Sequence, residues 1–248
     1  MTTPKNSPSI GDRMKDYENV TRTHLYRRTP VIIRLDGKAF HTFTRGMKKP
    51  YDEKMSEVML EVTKFLVDEV QGAEMGYTQS DEISLFLRDY TRFESESWFD
   101  NNIQKMVSVS ASMATAKFNS FDLGVVYPEK SYANPVKILA FFDARVFNLP
   151  KEEVINYFIW RQQDAMRNSV QGLGQEHLSH KTLQGLKNVQ VQEELAKLSP
   201  PIYWEDCPDY FKYGQIVFKD GNSMPSPLFK ENREFLNEYI YIKEAKAA

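Results

Sequence analysis

Two short stretches carry residues whose types and spacing suit phosphate chemistry: Val31-Ile32-Ile33-Arg34-Leu35-Asp36-Gly37 and Gly76-Tyr77-Thr78-Gln79-Ser80-Asp81-Glu82-Ile83-Ser84-Leu85-Phe86. Each puts a carboxylate where a strand-like apolar run meets a turn. About 45 residues separate the two aspartates, and an amphipathic helix fills most of that gap. Asp36 and Asp81 are therefore expected side by side at the edges of neighbouring strands. Two aspartates there, with a free backbone carbonyl beside one of them, suit hard cations such as Mg²⁺. A pair of such ions is what a two-metal phosphoryl-transfer site needs. Read one at a time, both stretches have plainer explanations. Asp-Gly is a common turn dipeptide after a strand, and Ser80-Asp81-Glu82 reads equally as a polar hairpin turn. His41 alone reads as structural or solvent-facing, and Lys48 and Lys49 before Pro50 as a solvated loop. The lysines gain interest because that loop joins the first strand to the first helix, beside the proposed cation site.

The elements that must position these residues follow in a definite order. Residues 31–35 are β-branched and apolar, a strand. From Asp52 to Val70 the apolar residues Met55, Val58, Met59, Val62, Phe65, Leu66 and Val70 keep helical spacing, and Gly72 stands where a helix stop is expected. Residues 75–79 and 83–88 read as two strands around a tight turn at Ser80-Asp81-Glu82. Ile103, Met106, Val107, Ser110, Met113, Ala114 and Phe118 mark a second long helix, and residues 136–142 a fourth strand. The sum is β-α-β-β-α-β, an α+β, ferredoxin-like sheet, with two helices over one face and the other face left open to substrate. After Pro150 a strong helix spans 151–170, another covers 189–198, and Pro200-Pro201 breaks the chain. Gly214 to Lys219 reads as a last strand, 221–228 as a loop, and the tail from Glu231 as a helix that frays at 243–248. Residues 1–150 are thus expected to form a palm-like catalytic domain with a basic N-terminal segment. Residues 151–248 are expected to form a mainly helical extension packed with it as one compact unit.

Composition excludes several classes. At 248 residues and 28.9 kDa, with 41% apolar and 27% charged residues, the chain reads as an ordinary soluble globular protein. The longest run without a charged residue, Met106 to Ala116, is too short to span a membrane, and the polar N-terminus lacks the apolar core of a signal peptide. The single cysteine, Cys207, rules out an intrachain disulfide framework and points to a reducing, cytoplasmic setting. Of the four histidines only His177 and His180 have zinc-like spacing. Net charge is −2, but residues 1–50 hold eleven Lys/Arg against four Asp/Glu, a surplus of +7 that leaves −9 for the rest. Handling phosphates needs local positive potential and not a basic pI. Arg13, Lys15, Arg22, Arg27, Arg28, Arg45, Lys48 and Lys49 supply it, unless they form only a solvated face.

This sheet with two carboxylates and two Mg²⁺ is the palm arrangement that polymerases and nucleotidyl cyclases share, and the pattern alone says nucleotidyl transfer without naming the acceptor. The wording of the motifs goes further. Arg34-Leu35-Asp36-Gly37-Lys38-Ala39-Phe40-His41, Lys49-Pro50, Gln79-Ser80-Asp81-Glu82, Phe142-Asp143-Ala144-Arg145-Val146 and Trp160-Arg161-Gln162-Gln163-Asp164 resemble, in order, the tRNA-histidine guanylyltransferase superfamily. These enzymes add nucleotides to the 5′ end of tRNA in the 3′-to-5′ direction. The motifs span residues 31–170, and the segment from Tyr210 to Phe218 is similar too.

The resemblance implies that Asp36 and Asp81 bind both metals, with the Gly37 carbonyl as a further ligand. It implies that Lys38, Ala39, Phe40 and His41 meet the triphosphate of the incoming nucleotide, that Lys49 and Ser80 assist 5′-end activation, and that Lys105 is a basic phosphate contact. Glu82 belongs to the motif but is not assigned as a ligand. It also implies ATP or GTP as activating substrate, tRNA as partner and a homotetramer in which the tRNA bridges subunits. Two departures matter. Where eukaryotic members read His-Ile-Asn-Asn-Leu-Tyr-Asn, this chain reads Met166-Arg167-Asn168-Ser169-Val170-Gln171-Gly172, keeping only Asn168. That is similar to the bacterial and archaeal like-protein branch, which prefers templated repair of 5′-truncated tRNA over guanylate addition to histidine tRNA. Asn102 stands where the eukaryotic pattern has an arginine, and an asparagine replaces neither its charge nor its fork. Guanylate addition to histidine tRNA and a tRNA-binding protein without catalysis remain as alternatives.

Overall fold

The structure, a computed structural model, describes residues 8–125 and 138–241. Helix α1 (Ile10–Asn19) precedes strand β1 (Val31–Gly37), the one-turn helix α2 (Phe40–Phe43) and the long helix α3 (Glu53–Glu69). The hairpin β2 (Ala73–Gln79) and β3 (Glu82–Leu87) follows, then α4 (Ile103–Asn119) and β4 (Phe142–Asn148). These strands pair antiparallel in the order β4-β1-β3-β2, so the β-α-β-β-α-β reading and the ferredoxin-like class hold. The remainder comprises α5 (Lys151–His177), α6 (His180–Leu183), α7 (Asn188–Ala196), α8 (Asp209–Tyr213), strands β5 (Gln215–Phe218) and β6 (Ser223–Pro225), and α9 (Asn237–Ile240). β5 adds to the free edge of β2 and β6 to β5, giving a six-stranded sheet. No helix among the described residues is long and apolar enough to cross a membrane.

Local chemistry explains the element ends. The Asp52 carboxylate accepts the Met55 N–H at 2.9 Å and caps α3, whose stripe of Met55, Val58, Met59, Val62 and Leu66 is buried. α3 stops at Val70, and Gly72 takes the left-handed backbone (φ 82°) that turns the chain into β2. Alternation along β1 sends Val31, Ile33 and Leu35 to the α3/α4 side, where they join a core with Leu66, Ile83, Leu85, Met106 and Phe118.

The sequence led to the expectation that the second face is open to substrate, but its Ile32 and Phe86 end is covered. Val154, Tyr157 and Phe158 of α5 pack there on Ile32, Met75, Tyr77 and Phe86, and Phe229, Leu236 and Ile240 complete the layer. A helix of 27 residues with an apolar stripe must bury that stripe, and Ile32 and Phe86 offer the matching patch. Toward the other end the same face turns polar: Ile32 gives way to Arg34 and Asp36 on β1, and Phe86 to Ser84 and Glu82 on β3.

Several elements differ from their expected bounds: α5 runs on past 170 to His177, and β6 stands within the stretch 221–228 expected to be a loop. β4 begins at Phe142 instead of spanning 136–142, of which residues 136 and 137 lie outside the described residues. The apolar run misled because Leu139 and Phe141 are half exposed, whereas pairing with β1 starts at Phe142 opposite Gly37. The tail forms a 3₁₀ turn (Arg233–Leu236) and the short α9 instead of one helix, and 243–248 lie outside the described residues. The layer over the second face is expected to carry real stability. Phe158 is fully buried against Tyr77, Tyr157 and Phe229, so Phe158→Ala should cost about 3–5 kcal/mol in urea unfolding. A loss below about 1 kcal/mol would mean that α5 is not anchored as described.

Candidate active site

Asp36 and Asp81 converge because two strand ends are tied together. Asp36 pairs in register with Glu82 on one side and Asp143 on the other. One residue further, the Gly37 N–H donates to the Asp81 carbonyl at 3.1 Å, joining the end of β1 to the β2–β3 turn. In that turn Ser80 is left-handed (φ 50°) and its hydroxyl donates to Asp81 Oδ1 at 3.1 Å. Gly37 is required by packing: a Cβ there would stand 2.3 Å from the ring of Phe40. The chain folds back through a left-handed Ala39 (φ 55°), and the Lys38 N–H donates to the Phe141 carbonyl at 2.8 Å. Phe40 is then locked among Phe43, Phe118 and Phe142, with ring centroids 5.2 to 5.5 Å away. Asp36-Gly37 is thus no hairpin turn but the end of a central strand.

Electrostatics separate the three carboxylates of the hairpin end. Burial pushes the Asp81 carboxyl above the usual aspartate value, the backbone and Ser80 hydrogen bonds hold it back, and the Asp36 charge pushes it further up. Among the described residues, neither Asp36 nor Asp81 has an ion-pair partner. Glu82 is the opposite case. Burial raises its carboxyl too, but Arg161 opposes that by donating from Nε at 2.7 Å and Nη2 at 2.8 Å, with both side chains almost wholly buried. Glu82 is spoken for, which gives a physical reason for leaving it out of the ligand set.

Asp36 and Asp81 suit a hard cation: the Asp36 charge raises the Asp81 carboxyl, and among the described residues neither has an ion-pair partner. No group of three or more His, Cys, Asp or Glu suited to a metal occurs among the described residues. Two carboxylates and a carbonyl would leave the remaining positions to phosphate and water, which is how Mg²⁺ is commonly held.

The structure brings some of the other expected residues together and separates one. Lys38, Ala39 and His41 are exposed at the turn beyond Gly37, but the Phe40 ring is in the core, so only its backbone can face a ligand. Lys49 and Ser80 line one cavity of about 250 Å³ with Asn168 and the aromatic trio Tyr51, Tyr210 and Phe211. Lys105 lies elsewhere. The C-terminal end of α4 meets the start of β4, through Thr115 Oγ1 to the Phe142 N–H and Asn119 to Ala140. Lys105 is ten residues back along that helix, about 15 Å toward the opposite end of the sheet. Asn102 is buried there and caps α4 by accepting the Lys105 N–H at 3.0 Å. Reading the sequence did not anticipate what Trp160-Arg161-Gln162-Gln163-Asp164 does: Arg161 holds Glu82, and Gln162 accepts the Phe229 N–H and donates to Ser226 Oγ and the Pro227 carbonyl. A buried Arg and Gln on a helix were the available signal.

Comparisons with known proteins show the family. The family model described as Thg1, tRNAHis guanylyltransferase, matches residues 11–150. A tRNA(His) guanylyltransferase of Debaryomyces hansenii is 32% identical over 219 residues, 87% of this chain and 76% of that protein. The chain belongs to the tRNA(His) guanylyltransferase family. Its members are nucleotidyltransferases. Among solved structures, a bacterial Thg1-like protein in complex with ATP superposes with a TM-score of 0.85 at 43% identity, covering 94% of this chain and all of that one. A bacterial Thg1-like protein in complex with GTP gives 0.75 at 38% identity, covering 95% and 100%. Both likenesses extend past residue 150, beyond the residues that the family model matches.

The raised Asp81 carboxyl has a definite consequence for stability. The folded protein keeps a proton that the unfolded chain has released, so stability falls as the pH rises above about 3.8 and through the raised value. Asp81→Asn removes that loss. In thermal scans without divalent cations the variant is expected to gain on the wild type as the pH rises from about 4 to 7. Parallel profiles would contradict the burial of the Asp81 carboxyl and the Asp36 charge beside it.

Proposed function

We propose that the protein extends the 5′ end of tRNA in the 3′-to-5′ direction and repairs 5′-truncated tRNA by templated addition. The observation that carries this reading is the meeting of Asp36, Gly37 and Asp81 beside the Lys49–Ser80 cavity, in a chain of the guanylyltransferase family. The ATP and GTP bound by its bacterial likenesses support nucleoside triphosphates as substrates.

In this scheme the 5′-monophosphate of the tRNA attacks the α-phosphorus of ATP or GTP and pyrophosphate leaves. The 3′-hydroxyl of the incoming nucleotide then attacks the activated 5′ phosphorus, and the nucleoside monophosphate leaves. Held by Asp36, Asp81 and the Gly37 carbonyl, two Mg²⁺ would lower the pKa of the attacking hydroxyl and offset the charge of the triphosphate. Lys49 and Ser80, which line one cavity, would assist activation of the 5′ phosphate. The backbone of residues 38–41 and the exposed Lys38 and His41 receive the triphosphate of the incoming nucleotide. Arg161 fixes Glu82, and with it the hairpin end that carries Asp81. The scheme keeps residues 1–150 as the catalytic palm and 151–248 as an extension packed with it. It also includes a homotetramer bridged by tRNA, in which Lys105 would serve a neighbouring copy.

The name of the matching family and of the yeast relative favours a second reading, guanylate addition to histidine tRNA. One assay separates the two: a tRNA lacking its first 5′ nucleotide, with Mg²⁺, ATP and each NTP in turn. Templated repair predicts extension only by the nucleotide complementary to the 3′-side partner. Extension only with GTP on full-length histidine tRNA would favour the second reading. Asp36→Ala and Asp81→Ala should each lower addition by at least about 10²-fold with the fold intact, and near-normal activity in either would sink the assignment.

A further inference from the structure

Of the three tryptophans, Trp98 and Trp204 are buried at 8% and 9% exposure, but Trp160 is 48% exposed. Its position on α5 is fixed from behind. The Arg161 guanidinium lies 4.3 Å from the ring centroid and is itself pinned by Glu82, and Tyr157 meets the indole edge-on at 5.9 Å. A ring held this firmly with half its surface in solvent is not explained by the core.

One further guanidinium lies beside it, and another stands across the sheet from that one. Arg34 lies 5.8 Å from the indole centroid, makes no ion pair among the described residues, and its buried Nε has no hydrogen-bond partner. Arg145 stands directly across the β1–β4 pair from Arg34, so both project from one face. Arg145 is half exposed, and its only ion pair among the described residues is a loose one to Asp143 at 3.5 Å. Like charges directly opposite on neighbouring strands repel, and an anion between them would remove that cost. Arg34 precedes Asp36 by two residues on the same face, so this cluster starts about 7 Å from the aspartate. An exposed indole with adjacent guanidiniums matches what a single nucleic-acid strand requires: a π-face for a base and positive charge for its phosphate.

We propose that Trp160, Arg34 and Arg145 form the surface on which the tRNA strand lies beside the carboxylate pair, one base stacking on the indole and its phosphate meeting both guanidiniums. The inference rests on the tRNA-extending reading above and adds to it where the strand runs. A purely structural role, with Trp160 shielding the Arg161–Glu82 pair, is the competing account.

Trp160 provides its own probe, since the other two tryptophans are buried. With an Asp81→Ala background to prevent turnover, a 5′-truncated tRNA should quench the emission that Trp160→Phe removes, and ATP alone should not. Trp160→Ala should raise KM for tRNA about tenfold or more, far beyond its effect on kcat or on KM for ATP. Trp160→Phe, which keeps an aromatic face, should recover most of that loss. Arg145→Ala should reduce the slope of log affinity against log salt by about one. An unchanged KM for tRNA in Trp160→Ala, or emission indifferent to tRNA, would overturn the proposal. So would quenching by ATP alone with tRNA affinity unaltered. If Trp160→Ala does not fold, the Trp160→Phe emission difference and the Arg145→Ala salt slope decide the matter. Quenching by tRNA in a wild type that adds no nucleotide would uphold the surface and remove the reaction assigned above.

Discussion

The hydrogen bond from the Gly37 N–H to the Asp81 carbonyl is the constraint on which the site depends. It joins the end of a central strand to the tip of the neighbouring hairpin, and so sets two aspartates against each other at a distance where their charges interact. Around it the chain has little freedom. Phe40 occupies the space that a side chain at residue 37 would need, and the aromatic cluster around Phe40 holds the turn back against the sheet. Such packing makes the carboxylate geometry a property of the core, in line with the need for a preorganised site.

The sheet's second face shows how one surface serves both stability and chemistry. At the Ile32 and Phe86 end it is apolar and covered by α5; at the Asp36 and Glu82 end it is polar. α5 runs over both ends. Its first turns bury Val154 and Phe158, and the next turn presents Trp160, Arg161 and Gln162. Arg161 then neutralises Glu82, whereas Asp36 and Asp81 have no ion-pair partner among the described residues.

Much of this was legible in the sequence where the pattern is local. The alternation of Val31-Ile32-Ile33-Arg34-Leu35-Asp36, the helical stripe from Met55 to Val70 and the Ser80-Asp81 turn each report their own element, and together they bring the aspartates to one edge. What the sequence hid depends on contacts between distant segments. Nothing local says that the 27-residue α5 must lie across the face opposite α3 and α4, nor that Lys105 falls at the far end of α4 from Asp36. The place of the Phe40 ring was hidden for a related reason: it sits inside a motif of exposed residues, yet it belongs to the core. The apolar run before Phe142 misled because hydrophobicity alone does not tell an exposed Leu139 and Phe141 from a paired strand.

Under the proposed function, Asp36 and Asp81 form one centre for two divalent cations. Mn²⁺ titration of the full chain with a non-hydrolysable ATP analogue, followed by electron paramagnetic resonance, tests it most directly. The account predicts two bound Mn²⁺ per chain with a spin-coupled signal, since ions in such sites lie about 3.5–4 Å apart, and loss of the coupling in Asp36→Asn and in Asp81→Asn. A coupled signal that survives both substitutions would place the metal centre elsewhere and contradict the account.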